Sequence, residues 1–114
     1  MSMTIQKLII DSHKTSISKG WWENPDRNIG ELLALIHSEI SEALEVYREQ
    51  GNDGLKKIWT KDDGKPEGFT IELADAVIRI ADLCGALGLE LEEALETKME
   101  YNRSRPRRHG GKVA

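Results

Sequence analysis

The stretch LALIHSEISEALEVY, residues 33–47, places the strongest constraint on what this chain can fold into. At roughly 100° per residue, Leu32, Leu35, Glu39, Glu42 and Val46 fall on one helix face, because their spacings alternate between three and four. Two carboxylates therefore interrupt an apolar seam. A neighbouring stripe of Leu33, Ile36, Ile40, Ala43 and Leu44 is apolar throughout and is expected to make the helix's core contact. The acidic pair then sits beside buried surface, where an ionised carboxylate is costly unless something compensates it.

A second segment repeats the pattern. In FTIELADAVIRIADLCGAL, residues 69–87, the charged positions are Glu72, Asp75, Arg79 and Asp82, spaced three, four and three apart on one stripe. One reading makes this stripe a solvated face with Arg79 paired to Asp75 at i,i+4. The other turns it toward the first acidic stripe, so that ExxE and ExxD bring four carboxylates together. Such a group repels itself severely without a cation or bound protons. Mg²⁺, with Mn²⁺ as an alternative, suits an all-oxygen donor set and commonly bridges to substrate phosphates. The chain has no CxxC or HxxxH spacing, which disfavours zinc. Asp82, one step beyond Asp75, is a secondary candidate, either as an added ligand or as a structural partner for Arg79.

The rest of the chain reads as helices and turns. A weakly amphipathic helix is expected over residues 4–18, with Thr4 as a cap and Gly20 near its end. Asn28 followed by Glu31 resembles a capping box and opens a helix over 29–50, which Gly51 stops. Residues 51–68 hold four of the ten glycines and read as a mobile connection. Helices over 69–87 and 90–102 follow, separated by Gly88. No alternating β-branched run occurs, so the expected class is all-α, with an antiparallel module of about four helices over residues 1–105 and a basic tail over 106–114.

Composition narrows the setting. A net charge of −4 argues against nucleic acid as the main partner, and the single Cys84, flanked by apolar residues, reads as a core thiol rather than half of a disulfide. No window approaches the ~20 apolar residues of a membrane span, and the N-terminus lacks a signal-peptide pattern, so a cytoplasmic protein with no membrane partner is expected.

The ExxE pair Glu39 and Glu42, the ExxD pair Glu72 and Asp75, and a final helix ending KMEYNRSRP together resemble the all-α nucleoside triphosphate pyrophosphohydrolases of the MazG type. The resemblance runs from about GWWENPDRNIGELLALIHSE to RPRRHGGK. It implies a helical module whose core becomes a four-helix bundle when two copies pair, as a homodimer or homotetramer. It also implies Mg²⁺-dependent cleavage of a nucleoside triphosphate to the monophosphate and pyrophosphate. Under it, Glu39, Glu42, Glu72 and Asp75 hold the metal, with Glu39 and Glu42 also expected to serve catalysis. Lys98, Asn102 and Arg105, at i, i+4 and i+7 of the last helix, contact phosphate; apart from the resemblance they would read as a solvated, basic helix end. Trp21 and Trp22 are implied to line the base pocket, although one of two adjacent tryptophans is also expected to cap the core. Many family members carry a further glutamate where this chain has Ser38.

His37 lies about 200° around the helix from Glu39 and reads as a packing or partnering residue. The tail residues Arg103, Arg107, Arg108, His109 and Lys112, with Gly110 and Gly111, are candidates for folding over a triphosphate, for gripping a nucleic acid weakly or for disorder. Two alternatives remain open. One is phosphoribosyl-ATP pyrophosphohydrolase, which shares the acidic module. The other is a non-catalytic helical dimerisation or regulatory module with solvated acidic stripes.

Overall fold

A computed structural model of the chain describes residues 2–106. It is mostly helical, as expected, with four α-helices: α1 (Ile5–Ser18), α2 (Ile29–Gln50), α3 (Phe69–Leu87) and α4 (Leu91–Ser104). The ends follow local chemistry. Thr4 caps α1 by accepting from the Lys7 amide at 3.0 Å, and Asn28 caps α2 by accepting from the Glu31 amide at 3.0 Å. Gly88 closes α3 in the left-handed conformation at φ 66°, which glycine adopts without a Cβ clash. No helix among the described residues is long and apolar enough to cross a membrane.

Helix α3 is the centre of the fold, packing on α1 along one side and on α2 along another. The α1 contact is close at Gly85, where a Cβ would lie 2.7 Å from the His13 Cβ. Ile9, Ala81 and Cys84 form the buried cluster there, with Ile5, Leu8, Ile80 and Leu91 packed against it. Cys84 is thus a core thiol, and burial raises its pKa. The core is small, half of it alanine, and among the described residues no large side chain is fully buried.

Two expectations change. The apolar stripe on α2 assigned to the core is mostly outside: Leu33, Ile40 and Leu44 are each about half exposed, while Ala43 is buried and Ile36 half-buried. The acid-bearing stripe faces α3 instead, with Leu32, Leu35 and Val46 half-buried and Glu39 buried. Periodicity identifies both stripes, but only packing decides which one meets a neighbour within the chain.

Residues 51–68 are also more ordered than a mobile connection. A 3₁₀ turn at Asn52–Gly54 precedes an antiparallel hairpin of β1 (Trp59–Thr60) and β2 (Pro66–Glu67). Its glycines are turn residues at fixed places: Gly64 has φ 90°, and at Gly68, with φ 145°, a Cβ would meet the Lys57 carbonyl oxygen at 2.5 Å. Trp59 lies on this hairpin, partly exposed.

Helix α4 stands apart. It packs mainly against the end of α1, and none of its residues is buried.

Candidate metal centre

The acidic stripes of α2 and α3 face one another. Oxygen atoms of Glu39, Glu72 and Asp75 lie within 4.8 Å of each other, and both glutamates are only 7 % exposed. The solvated-face reading of the α3 stripe is therefore overturned. Each helix supplies its acids at an apolar packing surface, so water has little room to screen them.

The electrostatics record the consequence. Burial first, then the neighbouring carboxylates of Glu42, Asp75 and Glu39, push the Glu72 carboxyl up to about 7. Asp75 is also raised, by burial and by Glu39, against the opposing pull of Arg79. Glu42 is exposed at the rim, outside the buried trio, and after burial it is the neighbour that raises Glu72 most. The Oε2 atom of Glu72 is buried and has no hydrogen-bond partner among the described residues. An orphaned buried oxygen on a residue that belongs to a group of acids is a place where a cation or a proton belongs.

One internal cation reaches the group. The Nε of Arg79 donates to Glu39 Oε1 at 2.8 Å. Arg79 thus bridges α3 to α2 instead of pairing with Asp75 along its own helix. Lys65, on the hairpin, is paired with Glu67 at 3.5 Å, and Glu72 and Glu42 add to the raising of its pKa.

Asp82 belongs to a different site. It accepts from Ser16 Oγ at 2.7 Å and from Trp22 Nε1 at 3.0 Å, and its Oδ1 lies 2.8 Å from His13 Nδ1. It is neither part of the metal group nor the partner of Arg79. Helix periodicity placed Asp82 on the acidic stripe, but the last turns of α3 face α1, which supplies His13 and Ser16. The Ser16 hydroxyl is bound to the carboxylate and not to the imidazole, so the trio is no serine-activating relay. His13 and Ser16 went unnoticed in the sequence. The signal available was Gly85 inside a helix, which marks a close helix crossing.

Asp82, Ser16 and Trp22 line a cavity of about 410 Å³ between α1, α3 and the loop after α1. Trp21, Trp22, Leu8 and Leu83 give it apolar walls, with Arg27 and Arg79 among the polar lining residues. Trp22 is fixed: Asp82 holds its Nε1, Arg27 lies 5.1 Å over its ring and His13 meets it edge-on at 5.7 Å. Trp22 is half-buried and lies outside the buried cluster of Ile9, Ala81 and Cys84. Trp21 is 55 % exposed and has the freer ring.

The remaining candidates lie elsewhere. Lys98 and Arg105 flank the Tyr101 ring at 4.8 and 5.7 Å on α4, and Arg105 stands past the helix end in extended backbone, so it does not continue the Lys98–Asn102 face. Within one chain, no hydrogen bond or ion pair among the described residues links Lys98, Asn102 or Arg105 to the carboxylates. Ser38 donates to the Leu35 carbonyl at 2.6 Å and offers the group no ligand, and His37 is exposed. Arg103 pairs with Glu100. The tail residues Arg107, Arg108, His109, Gly110, Gly111 and Lys112 lie outside the described residues.

No protein-family model, curated protein or solved structure matches this chain.

Proposed function

We propose that the protein is a Mg²⁺-dependent hydrolase that cleaves a nucleoside triphosphate, or its deoxy form, to the monophosphate and pyrophosphate, acting in upkeep of the nucleotide pool. The observation that carries this reading is the buried meeting of Glu39, Glu72 and Asp75, with the Glu72 Oε2 atom left without a partner. The donor set is all carboxylate, which fits a hard divalent cation: Glu39, Glu72 and Asp75 would hold it, with Glu42 at the rim. Such an ion supplies charge neutralisation at phosphate oxygens.

The chain's own residues supply the rest. In hydrolysis, a water oxygen bonds to phosphorus, its proton passes to a carboxylate, and the anhydride P–O bond breaks as pyrophosphate leaves. Glu42, exposed at the rim and outside the set that would hold the ion, has the solvent access this proton transfer needs. Glu39, held by Arg79, is a fixed ligand and not a mobile base. The Trp21 and Trp22 walls suit a planar base, whose stacking contributes about 1–3 kcal/mol. Lys98 and Arg105, which have no acidic partner among the described residues, serve the phosphate tail together with Asn102.

Pairing of two copies belongs to the same reading. Ile40 at 50 % and Leu44 at 48 % exposure, with Leu33 and Tyr47 on α2 and Leu73 and Val77 on α3, leave apolar side chains of both acidic helices open to water. A second copy covering these stripes would complete a four-helix bundle.

The test is a screen of all common ribo- and deoxynucleoside triphosphates with Mg²⁺, and of phosphoribosyl-ATP, reading pyrophosphate and orthophosphate separately. Pyrophosphate release that disappears in Glu42→Gln and Asp75→Asn supports the reading. Turnover of phosphoribosyl-ATP alone moves the protein to histidine synthesis. The absence of turnover on any nucleotide, with no Mg²⁺ stabilisation of the fold, refutes it in favour of a non-catalytic module.

A further inference from the structure

The carboxylate group and the tryptophan-walled cavity are distinct, and one side chain belongs to both. Arg79 lines the cavity and also donates its Nε to Glu39 Oε1 at 2.8 Å. From this juxtaposition we infer that Arg79 binds the phosphate group nearest the nucleoside, on the path between base and metal. The inference rests on the reading of the site given above and adds a substrate contact to it.

The argument is one of donors and distances. A guanidinium carries five N–H donors in a planar fork, and among the described residues only Nε is bonded to a protein acceptor. The Nη groups are left for another acceptor. Planar, paired donors match phosphate oxygens better than any other side chain does. The Nε bond to Glu39 holds the fork in place, which lowers the entropy lost on binding. A molecule with its base in the cavity that Trp21 and Trp22 line and its outer phosphates at Glu39, Glu72 and Asp75 meets Arg79, the residue common to both. The phosphate one sugar away from the base is the one that arrives there.

Lys19 also lines the cavity, at the end of α1, but it makes no bond to the carboxylate group, and Lys65 is paired with Glu67 on the hairpin. Arg27 lies over Trp22 and donates to the Trp21 carbonyl at 3.2 Å, on the base side of the cavity. Lys98 and Arg105 sit at Tyr101 on α4.

The test compares a nucleoside with its monophosphate, using whichever common nucleotide the wild type binds. Binding is read from the indole N–H signals of Trp21 and Trp22 in NMR titrations at saturating Mg²⁺. In the wild type the monophosphate should bind at least tenfold more tightly than the nucleoside. In Arg79→Met that ratio should fall to near one while nucleoside affinity stays within about twofold. A ratio unchanged from wild type overturns the inference. Equal loss of nucleoside and monophosphate binding also overturns it, because Arg79 would then only hold the cavity together. A second readout needs no folded Met variant: the Arg79 Nε–H signal of the wild type, identified by its loss in Arg79→Lys, should shift with monophosphate and not with nucleoside. If no nucleotide moves the indole signals of the wild type, the cavity does not take a base, and this inference falls with the functional reading. If nucleotides bind but Arg79 does not sense the phosphate, the inference alone fails.

Discussion

Replacing Glu72 by glutamine should make the metal-free protein more stable. Glu72 is 7 % exposed, and its carboxyl is displaced from 4.5 to about 7 by burial and by Glu42, Asp75 and Glu39. The sign follows from linkage. The folded state holds the Glu72 proton more tightly than the unfolded chain does, so between about 4.5 and 7 this group costs progressively more stability as pH rises, and above about 7 the cost is complete. A displacement of that size corresponds to at most roughly 3 kcal/mol. The amide keeps the shape of the carboxylate and removes its charge. In a domain this small, where each kcal/mol moves Tm by about 4–8 °C, Glu72→Gln should raise Tm at pH 8 in EDTA, with that displacement setting the ceiling of the rise. The gain should largely vanish at pH 5. Added Mg²⁺ should stabilise the wild type strongly and the variant little, because a cation that binds only the folded state stabilises it in proportion to its occupancy. The assay is thermal unfolding followed by circular dichroism at equal protein concentration, with and without Mg²⁺. A variant that melts below the wild type in EDTA at pH 8 refutes the account of Glu72 as an uncompensated buried charge, and equal Mg²⁺ stabilisation of both proteins refutes its place in the metal centre.

Three further outcomes are expected. Mg²⁺ affinity, measured by calorimetry, should rise as pH increases through about 7, since the ion must displace the Glu72 proton, and a flat profile would exclude that carboxyl as a ligand. Asp82→Ala strips the shared acceptor from Ser16 and Trp22 and the partner from His13; it should cost about 2–4 kcal/mol in urea unfolding and shift tryptophan fluorescence to the red, yet leave Mg²⁺ affinity unchanged. Gly85→Ala forces a methyl to 2.7 Å from the His13 Cβ and should destabilise by about 1–3 kcal/mol, whereas the same change at an ordinary helix position would be favourable by up to about 1 kcal/mol.

Apolar spacing, caps and glycines determined the four helices and nearly all their ends, because those signals act over one or two turns. Thr4, Asn28, Gly51 and Gly88 stop or start helices through their own backbone and side-chain chemistry. The ExxE and ExxD pairs were likewise legible, since a charge set into an apolar stripe conflicts with its surroundings in any fold. What the sequence left open was direction. The α2 stripe of Leu33, Ile40 and Leu44 looked like the core face and is mostly exposed, while the stripe carrying Glu39 faces α3. Arg79 looked like a partner for Asp75 and reaches Glu39; Asp82 looked like a fifth acid of the group and instead holds Trp22, Ser16 and His13. In each case two partners were compatible with helix periodicity. The choice was made by how α1, α2 and α3 pack, through contacts between residues 40 to 69 positions apart, and local chemistry does not encode separations of that length.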